Sequence, residues 1–402
     1  MSMTMDYTDQ ILKKIKELPP LPLVVQKLLA VMEDDNSSAD DISQVLNSDQ
    51  AMTSKVLKLV NSSFYGLSGK VTTVPRAIVI LGVAAMRNLA LGLGVTRVLA
   101  KTGTGELQEK FWDHSIAVAA ASEVIARHTK KAEPEEAFVA GLLHDIGHLL
   151  LLMAVPDEFM NVMAMGPVNL VENERKNIGM AHTRAGQKLL KQWNLPTSLC
   201  DAVRFHHTPK VITGKDDPLI SVVAMADLFA GVHGTVYERS LNDGDFRELV
   251  KVTGLNPQEV GEILTEMDSR IIETRLFLKL ATGTETSTAT VTTQDPKTIV
   301  MICTEALKAE WTKQVLGYFE HTLLPMKEFF IKAGDPGAAD LIILDPESLS
   351  GDQLAKIAPI LKNHHHHLVL FGQDEEGKVA QLLGGPLRSI PMAFSREDLE
   401  TD

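Results

Sequence analysis

The chain has 402 residues, of which 45% are hydrophobic and 23% are charged, a composition typical of a globular protein with a large apolar core. Its formal net charge of -13 argues against nucleic-acid binding, because an acidic surface repels the phosphate backbone. The two cysteines, Cys200 and Cys303, lie far apart and outside any CxxC motif, which argues against a disulfide framework and favours a reducing, cytoplasmic compartment.

Residues 1–280 are predicted to form an all-α domain, because one helical pattern follows another. The first helix begins at Thr8 and is expected to stop at Pro19. Ser38 with Asp41 three residues later is a variant of the capping-box pattern. The first ten residues have neither the basic region nor the apolar core of a signal peptide, so we expect none.

A strongly apolar segment follows Pro134, which occupies a first-turn position. Its run from Ala137 to Val155 is long enough to suggest a membrane span, but His144, Asp145 and His148 lie in its middle. Ionisable groups at the centre of a membrane span are costly. We therefore expect a core helix of a protein that has no membrane partner.

The chain changes character after its last predicted helix of this domain, which opens with Asn256 as N-cap and Pro257 just inside. The threonine-rich stretch 281–297 has little to bury and is predicted to be a linker. Residues 298–402 alternate short apolar strands with helices, which indicates a small α/β domain with a parallel sheet. The predicted strands are Thr298–Cys303, Asp340–Leu344 and His367–Phe371.

Polar side chains that can bind metals or move protons occur at five places in the helical domain. They are His114, the pair His144 and Asp145, His182, the pair His206 and His207, and Asp227. A single histidine on an apolar helix is usually a core residue with a satisfied hydrogen bond. An unpaired buried carboxylate is far more costly, so Asp145 and Asp227 need partners. We therefore predict that these residues meet at a common centre.

Imidazole and carboxylate groups together suit a divalent ion such as Fe, Mn, Zn or Mg. The candidate first metal site consists of His114, His144, Asp145 and Asp227, and the candidate second site of His182, His206 and His207, with Asp145 as a bridge. Two such ions would generate hydroxide and clamp a phosphoryl group. No catalytic residue is certain from this pattern, and Asp145 is the candidate.

The order of these residues resembles the HD superfamily of metal-dependent phosphohydrolases. Six motifs narrow the resemblance: Leu18–Pro22, Ser48–Gly66, Val74–Gly82, Gly141–Leu152, Ala181–Pro196 and Ala202–Pro209. In this order they are similar to the HDOD domain, the HD-related output domain of bacterial signalling proteins, over about Leu18 to Ala230. The resemblance implies an all-α fold and a role as an output or scaffolding module that acts through signalling protein partners.

The chain departs from the related HD-GYP phosphodiesterases, which cleave cyclic di-GMP, at two places. Those enzymes carry HDIGK, and His148 stands at the position of their lysine. They also carry a Gly-Tyr-Pro loop after the paired histidines, which the stretch "HHTPKVITGKDDP" lacks. Asp49-Gln50 also replaces the Asp-Pro that is typical of the HDOD family. These departures argue against hydrolysis of cyclic di-GMP.

The C-terminal domain resembles a flavodoxin-like receiver domain without its active site. Asp345 would be the phosphate-accepting aspartate at the end of a strand. A receiver also needs an acidic pair after its first strand, where this chain has only Glu305, and a lysine before a proline, where it has Ile390 before Pro391. Phosphoryl transfer requires both the metal and the cation. We expect the sheet and no phosphorylation.

Two functions remain open from the sequence. One is a signal-transduction scaffold without catalysis, which needs His144 and Asp145 only as a hydrogen-bonded pair. The other is a metal-dependent phosphohydrolase acting on a nucleotide or another phosphorylated small molecule, which needs an ion with open coordination positions. The missing Gly-Tyr-Pro loop and the altered HDIGK motif favour the scaffold. A homodimer is compatible with either function.

Overall fold

The structure is a computed structural model that describes residues 7–32, 38–61, 69–99, 106–165, 169–208, 217–232, 243–282, 297–304, 306–319, 321–324, 339–362, 368–371, 379 and 388–390. Within these residues, helices occupy the chain as far as Thr282, and a small parallel sheet follows. The helices are α1 Thr8–Glu17, α2 Leu23–Met32, α3 Ala39–Asn47, α4 Gln50–Val60, α5 Val74–Leu81, α6 Val83–Leu99, α7 Glu106–Thr129, α8 Pro134–Leu143, α9 Ile146–Ala154, α10 Pro156–Met163, α11 Leu170–Asn177, α12 His182–Gln192, α13 Thr197–Phe205, α14 Pro218–Val232, α15 Asp243–Thr253, α16 Val260–Thr282, α17 Ala306–Tyr318 and α18 Gly351–Leu361. The fold class predicted from the sequence, an all-α domain followed by a small α/β domain, is confirmed.

Local signals in the sequence set several helix ends. The Ser38 hydroxyl accepts from the Asp41 backbone N–H, and the Asp41 carboxylate accepts from the Ser38 N–H, so the predicted capping box is present. Helix α8 begins at Pro134, as predicted. Asn256 is an N-cap, but it caps a 3₁₀ turn, and the α-helix starts only at Val260.

The apolar run predicted as one core helix is two helices. Helix α8 ends at Leu143 and α9 begins at Ile146, with His144 and Asp145 between them. Asp145 has φ -101° and ψ 13°, outside the α-helical range, and this turns the chain where the two polar residues occur. Pro134–Ala154 is long and apolar enough to cross a membrane, the one such stretch in the described chain, but 83% of its most apolar window is buried inside the fold. Its leucines therefore form core.

Two glycines let the helices around this junction approach closely. A Cβ at Gly141 would lie 2.6 Å from the Ser122 hydroxyl oxygen and 2.7 Å from the Val118 carbonyl oxygen, both on α7. A Cβ at Gly147 would lie 1.9 Å from the carbonyl oxygen of His182. No side chain fits at such distances. The glycines therefore allow α8 to pack on α7 and α9 to pack on the start of α12.

The C-terminal sheet has five parallel strands in the order β2-β1-β3-β4-β5, the order of a flavodoxin-like fold. The strands are β1 Thr298–Ile302, β2 Thr322–Leu323, β3 Leu341–Leu344, β4 Leu368–Phe371 and β5 Arg388–Ile390. Three of them match the predicted strands to within one residue. Strand β2 is not among the predicted strands: α17 stops at Tyr318, and Thr322 then pairs with Thr298.

Helix α17 packs against the helical domain through Trp311. The Trp311 side chain is completely buried, with its ring centroid 5.2 Å from that of Phe229 on α14 and 5.0 Å from that of Phe246 on α15. Both ring pairs are edge-to-face, the geometry that aromatic quadrupoles favour. Helix α16 runs two residues into the predicted linker, and residues 283–296 lie outside the described part of the chain. The predicted domain boundary stays a prediction.

Candidate metal centre

The structure brings all seven predicted site residues to one place, around Asp145. They come from five parts of the fold: His114 from α7, His144 and Asp145 from the α8–α9 junction, His182 from the first position of α12, His206 and His207 from the end of α13, and Asp227 from α14. Six of them are at most 8% exposed, and the side chain of Asp227 is 10% exposed. The group is therefore an interior cluster rather than a surface patch.

The four atoms of the candidate first site are spaced like ligands around one ion. His114 Nε2 lies 3.2 Å from His144 Nε2, 3.2 Å from Asp227 Oδ1 and 3.6 Å from Asp145 Oδ2. His144 Nε2 lies 3.3 Å from Asp145 Oδ2. Two ligand atoms at about 2.1 Å from a tetrahedral ion are separated by roughly 3.4 Å. These four atoms could hold an ion after small side-chain shifts.

The candidate second site uses the other oxygen of the same aspartate. Asp145 Oδ1 lies 3.3 Å from His182 Nε2 and 3.3 Å from His206 Nε2. The ring of His207 contacts that of His206 at a tilt of 50°, with a centroid separation of 3.9 Å. One ring nitrogen of His207 lies within 4.8 Å of ligand atoms of Asp145, His182 and His206. Asp145 therefore has one oxygen toward each half of the cluster, the geometry of a bridging carboxylate.

Two of the histidines are oriented by hydrogen bonds from the ring nitrogen that points away from Asp145. Nδ1 of His144 donates to the carbonyl of Gly141 at 2.8 Å, and Nδ1 of His206 donates to the carbonyl of Val203 at 3.0 Å. With Nδ1 as the donor, a neutral ring presents the lone pair of Nε2 to Asp145. Metal-binding histidines are typically oriented by such outer hydrogen bonds.

The charged groups at the centre shift one another's pKa values. Burial alone would raise the pKa of Asp145, but His144 and His148 outweigh it and hold that pKa well below its ordinary value. Burial and the neighbouring His207 lower the pKa of His206 well below its ordinary value, so this ring is neutral. Burial also opposes the charge on His182, but Glu174 and Asp145 raise its pKa well above the ordinary value.

Asp227 is the second carboxylate of the centre. Burial raises its pKa, but its contact with His114 and the nearby His144 and His207 more than compensate and lower the pKa to about 2. Asp227 is therefore ionised together with Asp145 at neutral pH. Two buried carboxylates in one cluster are costly without counter-charge, and a divalent ion would neutralise them.

The hydrogen bonding of Asp145 also fits a cation. Both of its oxygens and Nε2 of His206 are buried and lack hydrogen bonds of good geometry. The lone pair of His206 faces the carboxylate directly, an arrangement that is repulsive unless a positive charge lies close by. Nitrogen and carboxylate ligands of this kind fit Fe, Mn or Zn, and the donor set does not select one of them.

Glu174 and His148 also belong to the centre, although neither was assigned to a site from the sequence. Glu174 on α11 is 0% exposed and contacts His182 and His148. Burial raises its pKa, but these two histidines outweigh burial and lower the pKa to about 2. The sequence contains a signal for it, since Leu170 and Glu174 lie four residues apart on the buried face of a polar helix. A carboxylate on a buried helix face needs a partner.

Asp345, the aspartate of the receiver resemblance, lies in a closed environment. It is 0% exposed, and Nζ of Lys308, itself 1% exposed, lies 3.3 Å from Oδ2 and 3.4 Å from Oδ1. The Cys303 thiol donates to Oδ2 at 3.1 Å. Both carboxylate oxygens are thus in contact with internal donors. Glu305 and Pro391 lie outside the described residues.

The sequence and fold have known relatives. Residues 18–209 match the HDOD domain family. An HDOD domain protein of unknown function from Geobacter sulfurreducens is 25% identical, with a TM-score of 0.55 over 68% of this chain and 99% of that chain. A protein from Shewanella amazonensis SB2B, named as a candidate phosphohydrolase, is 26% identical, with a TM-score of 0.55 over 67% of this chain and 98% of that chain.

Two further relatives are more limited in what they show. A candidate signal transduction protein from Marinobacter aquaeolei VT8 is 23% identical, with a TM-score of 0.54 over 68% of this chain and 65% of that chain, which shows a common fold. An uncharacterized protein of Treponema pallidum (strain Nichols) is 25% identical over 221 residues, or 54% of this chain. The match spans only 42% of that relative's length.

Proposed function

We propose that this chain, whose residues 18–209 form an HDOD domain, is a signal-transduction scaffold in which a buried metal centre fastens the helices together. It acts through signalling protein partners in the cytoplasm. The observation that carries the proposal is the burial of the ligand set: the six histidine and aspartate residues other than Asp227 are at most 8% exposed. An ion in such a place stabilises the fold, because its ligands come from five separate parts of the chain.

The C-terminal domain supports a role without phosphoryl chemistry. A working receiver exposes its aspartate to a phosphate donor and to Mg²⁺, whereas Asp345 is buried against Lys308. Helix α17 carries Lys308 and also Trp311, which is buried against α14 and α15. This domain is therefore suited to serve as a fixed part of the scaffold. We propose that it is a receiver-like module that has lost its switch.

The test is to compare metal content, stability and activity in one preparation. Protein purified without a nickel column should contain one or two equivalents of a transition metal by elemental analysis. Chelation should lower the unfolding temperature, and adding back Mn²⁺, Fe²⁺ or Zn²⁺ should restore it. The metal-loaded protein should hydrolyse neither p-nitrophenyl phosphate nor cyclic dinucleotides. The proposal would be refuted if the purified protein contained no metal and its unfolding temperature did not change on addition of Mn²⁺, Fe²⁺ or Zn²⁺.

A phosphohydrolase is the second candidate function. It is favoured by the position of Asp145, which has one oxygen toward each half of the cluster, as a carboxylate that bridges two ions would. Two ions bridged in this way would supply hydroxide and a clamp for a phosphoryl group. Asp227 is the most exposed member, with 10% of its side chain accessible, and marks the side from which a substrate would approach. The Shewanella amazonensis relative named as a candidate phosphohydrolase also agrees with this function.

Activity and metal content separate the two candidates. Under the second, the metal-loaded protein hydrolyses a phosphorylated small molecule, and Asp145→Asn abolishes this hydrolysis together with metal binding. Screening nucleotides and phosphate esters with the Mn²⁺- and Fe²⁺-loaded protein would reveal such a substrate. Turnover that disappears in Asp145→Asn would favour the enzyme over the scaffold.

A further inference from the structure

Glu174 makes two hydrogen bonds to a single residue of the centre. Its Oε2 accepts from the backbone N–H of His182 at 2.8 Å and from Nδ1 of the same residue at 2.7 Å. Since Nδ1 is the donor, a neutral His182 presents its Nε2 lone pair on the opposite side, where Asp145 Oδ1 lies at 3.3 Å. Glu174 therefore sets both the orientation and the tautomer of His182.

The distances place no ion between Glu174 and His182. Two atoms bound to one ion at about 2.1 Å are roughly 3.0–3.4 Å apart in octahedral or tetrahedral geometry. The 2.7 Å separation of Oε2 and Nδ1 is instead that of a charge-assisted hydrogen bond. Oε2 of Glu174 thus acts on the centre through the imidazole of His182 and not as a ligand.

His148 bridges the same two carboxylates as His182. Its Nε2 lies 3.1 Å from Glu174 Oε1, and its Nδ1 lies 3.5 Å from Asp145 Oδ2. The ring is 1% exposed, and its centroid is 3.9 Å from that of His182. The two imidazoles therefore lie side by side with their planes tilted by 35°, and each has one nitrogen toward Glu174 and the other toward Asp145.

We propose that His148 is an additional metal ligand through Nδ1, and that Glu174 is the positioning residue that turns His148 and His182 toward Asp145. The inference rests on the proposed metal centre. An ionised Glu174 attracts the N–H of each ring, which leaves the two remaining nitrogens as lone pairs beside one aspartate. The 3.5 Å between His148 Nδ1 and Asp145 Oδ2 is close to the spacing of two ligands on one ion.

Substitutions at position 148 can distinguish a metal ligand from a side chain that acts only as a hydrogen-bonding cation. The HD-GYP phosphodiesterases that the motif resembles have a lysine there, which donates hydrogen bonds as a cation but cannot bind a metal while protonated. His148 could likewise serve only as a cation between Glu174 and Asp145. In that case His148→Lys would preserve its function. If His148 is a ligand, His148→Lys would be as defective in metal binding as His148→Ala.

The experiment measures metal affinity in full-length variants. Four adjacent histidines, His364–His367, lie outside the described residues and would bind metal by themselves, so all proteins carry serine at these positions. The variants are His148→Ala, His148→Lys, Glu174→Gln and the control His128→Ala. His128 is on α7, fourteen residues from His114 and so about 21 Å along the helix, and its Nε2 contacts Glu266 at 3.0 Å. Zn²⁺ affinity is measured by chelator competition, and the coordination of Co²⁺ by its visible absorption spectrum.

We expect His148→Ala and His148→Lys to weaken Zn²⁺ binding by at least about tenfold and to change the Co²⁺ spectrum in the same way. Glu174→Gln should weaken binding by about 10–100-fold, the usual effect of losing a ligand-orienting partner. Melting of the metal-free variants, followed by circular dichroism, verifies that each is folded. Normal affinity and an unchanged spectrum in His148→Lys would overturn the assignment of His148. Absence of Zn²⁺ binding in the parent protein would instead overturn the metal centre itself, and His128→Ala should match the parent.

Discussion

Nε2 of His206 lies 3.3 Å from Oδ1 of Asp145, while Nδ1 of the same ring donates to the carbonyl of Val203. The histidine is neutral, because burial and the adjacent His207 lower its pKa well below the ordinary value. A lone pair and an ionised carboxylate therefore face each other in the interior. Such a pair is unfavourable without a shared cation. In the metal-free protein His182, whose pKa is raised well above its ordinary value, lies 3.3 Å from the same oxygen of Asp145.

The first prediction concerns the charge of Asp145. Asp145→Asn preserves the shape of the side chain but removes the charge that both halves of the cluster share, so it should abolish binding of transition metals. Elemental analysis after dialysis against Mn²⁺ or Zn²⁺ measures this directly in protein that carries serine at positions 364–367, because His364–His367 would bind metal by themselves. Asp113→Asn is the matched control, since Asp113 neighbours His114 in the chain but pairs with Arg275 at 3.1 Å. Equal metal content in both variants would contradict the prediction.

The second prediction concerns Gly147. A Cβ at this position would lie 1.9 Å from the carbonyl oxygen of His182, so Gly147→Ala must push α9 and α12 apart and move His182 away from Asp145. We expect a loss of about 1–3 kcal/mol or more in the free energy of unfolding, together with weaker metal binding. Gly317→Ala is the control, because no atom lies within 4 Å of the added Cβ, and alanine stabilises a helix by about 1 kcal/mol. Denaturant unfolding of both variants gives the comparison.

The sequence predicted much of the fold and of the candidate site, for identifiable reasons. Strand positions, the Ser38 capping box and the start of α8 at Pro134 follow from local patterns, and the structure has them. The break at Asp145 was missed because the flanking residues are uniformly apolar and contain no breaker beyond Gly147. Glu174 was missed because its helix consists mostly of polar and charged residues, a composition typical of an exposed helix. Its partners are seen only in the tertiary packing.

Residue type and order suggested which side chains share the centre, but not their mutual geometry. The sequence could not show that Gly147 determines how closely His182 approaches, since that depends on how two distant helices cross. It also gave no indication that Lys308 covers Asp345, because Lys308 lies on a helix with no distinctive motif. Such pairings depend on long-range packing rather than on local sequence patterns.

The third prediction is the pH dependence of the metal-free and metal-loaded protein. A histidine whose folded pKa is raised contributes stability that is complete below its unfolded pKa of 6.5 and is lost as the pH rises through the folded value. The contribution of His182 to the metal-free protein should therefore decline in alkaline solution. A metal competes with that proton, so its apparent affinity should rise with pH by roughly tenfold per unit for each proton displaced.

Calorimetric titration measures this competition. Zn²⁺ is titrated in two buffers of different ionisation enthalpy at the same pH, which gives the number of protons released on binding. At pH 7 the release should be at least one proton in the parent protein. Binding without proton release, or affinity that falls as the pH rises, would contradict the assignment of a protonated His182.

The fourth prediction concerns the receiver-like domain. Acetyl phosphate with Mg²⁺ should leave the mass of the protein unchanged, because Lys308 and Cys303 contact the oxygens of Asp345 in a buried site. Asp345→Asn should lower the free energy of unfolding by about 3–5 kcal/mol, since it leaves the Lys308 charge buried without its counterion. Asp352→Asn is the control at an exposed carboxylate. A phosphoryl adduct on Asp345, found by mass spectrometry, would refute the prediction.

The fifth prediction tests how the two domains are held together. Limited proteolysis should cut first within the predicted linker 281–297, which has few residues to bury. The two fragments should nevertheless remain associated in gel filtration, because Trp311 is completely buried between Phe229 and Phe246.

Trp311→Ala removes that anchor, and loss of a buried tryptophan costs about 3–5 kcal/mol. After the same cut, the fragments of this variant should separate, whereas Trp311→Phe should keep them partly associated because an aromatic ring still fills the site. The metal content of the N-terminal fragment supplies the final comparison. Asp227 lies on α14 two residues before Phe229, so weaker metal binding after separation would indicate that the C-terminal domain supports the centre. Fragments of the parent protein that separate freely would show instead that the Trp311 contact does not hold the domains together.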